Sequence, residues 1–145
     1  MDISPAHAAA RTAAARVPAL NASLARLNAS PGPAAIVLFG GARPDPGEEA
    51  PGDQLVVIPL QQPAGAVDAE AGTITLAVPI EGQITGADPD DGTLATWARI
   101  FDGASDWWGD CSVSSAADGT GEIQLEDTLL RNGAFARLTA AVFTG

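Results

Sequence analysis

The 145-residue chain has no lysine and no tyrosine, and only one histidine (His7) and one cysteine (Cys111). These absences remove most of the side chains that carry chemistry. Without lysine no Schiff base can form, and without tyrosine no phenol can act as acid or base. A lone histidine among alanines lacks the partners that a triad or a zinc site needs. One cysteine excludes an intrachain disulfide framework and any multi-cysteine metal site. Cys111 therefore reads as a small buried or half-buried strand residue. No apolar run approaches the roughly 20 residues of a membrane-spanning helix. The start, MDISPAHAAARTAAAR, carries an acid at its head and no Leu/Val-type apolar region, so it reads as a poor secretion signal and predicts folding in a cytosol.

Large aromatics are also scarce, with four Phe and three Trp, so a core must rest on Val, Ile and Leu. The length fits one domain with a genuine core. What the chain has in excess is negative charge: 18 acids against seven arginines, a net charge of −11 and a pI near 4.1. That balance opposes nucleic acid and anionic membranes as partners. The charge is unevenly placed. Residues 1–44 hold one acid (Asp2) and four arginines (Arg11, Arg16, Arg26, Arg43), whereas residues 45–145 hold 17 acids and three arginines. A basic N-terminal arm on an acidic body follows. Arginine-only basicity favours fixed bidentate pairs, and codon bias in a GC-rich genome produces the same pattern.

Residues 6–28 read as helical, because alanine has the best intrinsic helix propensity. Pro18 is expected to interrupt, leaving a second short helix over 19–28. There Leu20, Leu24 and Leu27 recur at i, i+4, i+7 as one apolar stripe, and Ser30-Pro31-Gly32-Pro33 ends it. Strand-like runs follow at 34–39, 54–60, 73–80, 93–102, 107–114, 122–125 and 134–143, separated by turns rich in Gly, Asp and Pro. About seven strands predict a mainly β protein, an antiparallel sandwich or barrel carrying an N-terminal helical arm. The division expected is an arm over 1–33 and a β domain over 34–145.

Few residues invite a functional reading. Paired carboxylates are the only enzymatic option left, but the acids lie in turns, where Asp is favoured for its own backbone hydrogen bonds. No enzyme activity and no cofactor are expected. Asp88, Asp90 and Asp91, closed by Gly92, form a weak candidate calcium loop. Pro89 stiffens it and no bidentate Glu stands at the required distance. Asp102, Asp106 and Asp110 read as solvated turn residues. Trp97 reads as a core residue. Trp107 and Trp108 must point to opposite faces if extended, so one is a candidate interface anchor or sugar platform.

Three segments carry a resemblance: "ARLNASPGPAAIVLFGGARPDPGE" (residues 25–48), the apolar strand at 54–60, and "GTLATWARIFDG" (residues 92–103). In this order they resemble a family of small proteins of tailed-phage and prophage genomes. Those proteins open with an alanine-rich helix ending in a leucine–asparagine turn. A strand leading to an Arg-Pro pair follows, here Arg43-Pro44, and then a strand of the form GT-x-x-W-x-R-x-x-DG. The acidic loop at 45–53 and the Trp107-Trp108 pair depart from that pattern. The resemblance implies a structural virion protein, made in the host cytoplasm and located in the virion. A capsid decoration (cement) protein is the first expectation, docked on the major capsid protein and on neighbouring copies in a symmetric homo-oligomer. A tail or baseplate component and a virion carbohydrate-binding module are the alternatives. The residues expected to hold partners are Arg11, Arg16, Leu20, Leu24, Arg26 and Leu27 of the arm, with Trp107 and Trp108.

Overall fold

The computed structural model describes residues 2–145 and opens on one helix, α1 (Pro5–Leu27). Its first turn is set by Ser4, whose hydroxyl accepts from the His7 N–H at 3.2 Å, and by Pro5, whose missing N–H costs nothing there. The expected break at Pro18 does not occur, and α1 runs through it. Pro18 and Ala14 are both exposed, so water can satisfy the Ala14 carbonyl that proline leaves without a donor. Burial of Leu20 and Leu27 then offsets the lost hydrogen bond.

Eleven strands follow: β1 (Ala35–Phe39), β2 (Gln54–Pro59), β3 (Gly65–Asp68), β4 (Thr73–Leu76), β5 (Ile80–Gln83), β6 (Thr93–Leu94), β7 (Trp97–Phe101), β8 (Trp107–Ser115), β9 (Ile123–Leu125), β10 (Leu129–Leu130) and β11 (Phe135–Thr144). The protein is mainly β with an N-terminal helix, as expected. Nine strands form one curled mixed sheet, a half-barrel rather than two stacked sheets, and β6 and β10 pair separately. The strand order is β2-β1-β7-β8-β9-β11-β4-β3, with β5 also on β11. The run at 73–80 divides into β4 and β5 around Pro79, which cannot donate to a ladder. The run at 93–102 divides likewise into β6 and β7. β3 and β10 are additions to the seven expected strands; both are too short to show a period.

Every pairing is antiparallel except β8 with β9, where Val113, Ser114 and Ser115 run parallel to Ile123, Gln124 and Leu125. So short a return usually gives a hairpin. Here Glu122 prevents it by accepting from the Ser112 N–H at 2.9 Å, while Ser114 Oγ accepts from the Gly121 N–H at 2.9 Å. A Cβ at Gly121 would collide with the Ser114 nitrogen, so only glycine fits.

The concave side of the sheet holds the main core, including Ile36, Leu38, Ile58, Ile100, Leu125 and Leu138, each fully buried. The sheet curls until β5 meets β2 through a bridge between Val56 and Ile84. α1 lies across one end. Its Leu27 and Leu20 enter the main core, Leu20 packs on Gly145 beyond β11, and Arg16 rests on Gly72 between β3 and β4. α1 ends at Leu27 and β1 begins at Ala35, and the second half of α1 packs on the β body. A smaller core of Val37, Phe39 and Trp97 sits on the other side of the sheet with Ala50 packed on it.

Candidate interaction surfaces

The second half of α1 is anchored by polar contacts as well as by leucines. Arg26 donates to Asp102 Oδ2 from Nε at 2.9 Å and from its terminal nitrogen at 2.7 Å. Asp102 Oδ1 accepts from the N–H groups of Ala104 and Asp106 at 2.9 and 3.0 Å. Burial, the largest influence on this carboxyl, pushes its pKa up. The Arg26 and backbone hydrogen bonds together outweigh it and hold the pKa below 3.8. Trp108 Nε1 donates to the Ser23 carbonyl at 3.0 Å, and its ring meets Phe143 edge-on with centroids 5.3 Å apart.

These contacts correct several expectations. Leu20, Leu27 and the partly buried Leu24 are used within the chain, so the stripe is not a partner surface. Arg26 and Trp108 are likewise engaged internally. Asp102 is no solvated turn residue, since its side chain is 2% exposed. The sequence could not show its partner, which lies 76 residues away. What remains free is the first half of the helix. From Ala9 to Ala15 every residue is exposed, whichever face it lies on, whereas Arg16, though exposed, lies against Gly72 of the body and is not a free partner residue.

The second surface lies on the convex side of the sheet. Trp97, Arg99 and Phe101 share one face of β7 by strand alternation. Phe39 stacks on Trp97 with centroids 4.5 Å apart. Arg99 and Asp110, on neighbouring strands, form a bidentate pair with Nε–Oδ1 at 2.7 Å and a terminal nitrogen–Oδ2 at 2.9 Å. The guanidinium also faces two indoles, 5.5 Å from the Trp97 centroid and 6.0 Å from that of Trp107. Burial is again the largest influence on Asp110 and raises its pKa, but Arg99 and the Trp107 N–H hold it below 3.8. The expectation of a solvated Asp110 is thus corrected too. The signal was present: an arginine flanked on its own strand face by Trp97 and Phe101 needs an acid nearby.

Trp107 and Trp108 do point to opposite faces, and Trp107 is the exposed one at 43%. With Arg43, Pro44, Asp45, Pro46 and Asp110 it lines a groove of about 390 Å³. The Arg-Pro pair singled out in the sequence therefore forms part of this rim.

No family model, curated protein or solved structure matches the chain.

The remaining candidates have local explanations. Asp88 Oδ1 accepts from the N–H groups of Asp90 and Asp91, both at 2.8 Å. The Asp91 N–H, then that of Asp90, holds its pKa below 3.8. This carboxylate ties its own turn. Among the described residues, no three acidic, histidine or cysteine side chains converge on one point, so the calcium reading of Asp88, Asp90 and Asp91 is withdrawn. His7 is exposed on the free half of α1. Cys111 is buried as expected, and burial, aided by Glu122 and Asp110, pushes its thiol up to about 12, so it carries no thiolate near neutral pH.

Proposed function

We propose that the chain is a non-catalytic structural module of a tailed-phage virion, a capsid decoration protein that docks through the free half of α1. The observation that carries this reading is the division of the helix. One half is fixed by Leu20, Leu27 and the Arg26–Asp102 pair, and residues 9–15 of the other are all exposed. A short alanine-rich helix is marginal in water by itself. Continuity with the anchored half keeps this one formed and presents Arg11 away from the body. The phage context comes from the sequence resemblance. The acidic body suits a densely packed shell, where like charge keeps copies soluble.

The test is a truncation that spares the anchor. Removing residues 2–14 keeps every leucine of the stripe and Arg26. The shortened chain should fold, with an unchanged melting profile, and should no longer bind heads that lack it. Undiminished binding by the truncated chain contradicts the docking role.

A glycan-binding module is the second reading, favoured by the half-exposed Trp107 at the rim of its groove. Trp107→Ala, at unchanged fold, should then abolish binding on a glycan array.

A further inference from the structure

We propose that the groove between Trp107 and the 43–46 segment binds a neutral hexopyranose of a glycan, held directly by Trp107, Arg43 and Asp45. This rests on the glycan-binding reading of Trp107 given above and is independent of the docking role of α1. The indole is built as a fixed platform. Its Nε1 donates to Asp110 Oδ1 at 3.2 Å, and the Arg99 guanidinium lies 6.0 Å from its centroid. Asp110 is in turn held by two hydrogen bonds from Arg99. The ring thus has its polar atom satisfied within the chain, yet it is 43% exposed and lines a groove of about 390 Å³. Small-molecule sites span about 300–1,000 Å³. A rigid indole offers stacking area at low entropic cost, and the C–H face of a pyranose is an apolar surface that matches it.

The opposite wall is set by turn chemistry. In Asp45-Pro46-Gly47-Glu48 the Glu48 N–H donates to the Asp45 carbonyl at 3.1 Å, and Gly47 has φ +88°. Proline second and a left-handed glycine third are the pattern of a type II turn. Pro44 and Pro46 lock their own φ and bias Arg43 and Asp45 towards extended backbone. The wall therefore stands preformed. Arg43 and Asp45 are exposed on it, and neither makes an ion pair among the described residues. A guanidinium only donates and a carboxylate only accepts, so together they serve ring hydroxyls, which do both.

Charge selects the class of sugar. Arg43 balances Asp45 and Arg99 balances Asp110, so the groove has no net charge. The whole chain carries −11, and the 45–53 loop adds Glu48, Glu49 and Asp53 to the surroundings. Sialylated, sulfated and uronic glycans meet that field as like charge, whereas a neutral hexose does not. No three acidic, histidine or cysteine side chains converge among the described residues, so the contact expected is direct and indifferent to EDTA.

A glycan array probed with the full chain, with and without EDTA, tests this. It should hold neutral glucans, mannans and galactans beside sialylated, sulfated and uronic glycans. Binding should be confined to neutral members and unchanged by EDTA. Arg43→Gln and Asp45→Asn should each weaken it roughly tenfold at unchanged melting temperature, the loss of one hydrogen bond to a charged group. Trp107→Ala should abolish it, and the two loop variants keep the test valid where that change disturbs the Arg99–Asp110 pair. Binding confined to acidic glycans, neutral binding that EDTA removes, or neutral binding that both loop variants retain in full overturns the proposal. If such binding still depends on Trp107, the glycan reading stands with a different sugar or contact. No binding to any glycan, or binding that Trp107→Ala leaves intact, overturns both.

Discussion

Arg99 and Asp110 face each other across β7 and β8, joined by two hydrogen bonds and 10% and 7% exposed at their side chains. Trp97 lies beside the guanidinium and Trp107 over it, so the pair is shielded from water on its convex side. Removing one partner leaves a desolvated charge. Asp110→Ala should destabilise the fold by about 3–5 kcal/mol in urea unfolding. The double replacement Arg99→Met with Asp110→Leu should cost less than Asp110→Ala alone, because no uncompensated charge remains. A double variant less stable than the single one contradicts this.

The two buried carboxyls set an acid limit. Asp102 and Asp110 are both held below 3.8 in the folded chain, so near and below that pH the unfolded chain binds protons more readily. Their stabilising contribution is complete well above pH 3.8 and is lost as pH falls through the depressed folded values. Melting temperature should therefore be level at neutral pH and drop steeply in the acid range. Asp110→Asn combined with Arg99→Met should flatten the part of that drop due to this pair.

The helix should respond unequally along its length. Leu27 is fully buried, and Leu27→Ala should cost about 2–5 kcal/mol. Ala10→Ser, on the exposed half, should change stability by no more than about 0.5 kcal/mol. Equal costs at the two positions would mean that the first half is also packed on the body.

Trp108→Phe should retain the contact with Phe143 but lose the bond to the Ser23 carbonyl. A loss of about 1 kcal/mol is expected, measured by thermal or urea unfolding. Trp107→Phe, at the exposed ring, should cost less.

Much of the fold was legible because its signals are local. Apolar runs marked β1, β2 and β11, and the stripe at Leu20, Leu24 and Leu27 marked a helix face. What failed depended on distant partners. Pro18 reads as a break until the burial of Leu20 and Leu27 is known, and Asp102 reads as solvated until Arg26 is placed against it. The parallel return of β9 along β8 depends on Glu122 and Gly121, which carry no strand period at all. For the candidate site, the charge division pointed to the arm, but the leucine stripe was read as a partner surface because an amphipathic helix looks the same whether it docks on its own body or on another.

The most direct measurement of the virion role is the copy number of this chain in purified phage particles, by quantitative mass spectrometry against the major capsid protein. A capsid decoration protein should be present at hundreds of copies per head, in fixed proportion to the capsid subunit. A few to a few dozen copies would move it to the tail or baseplate. Absence from particles whose host cells contain it would contradict the virion role.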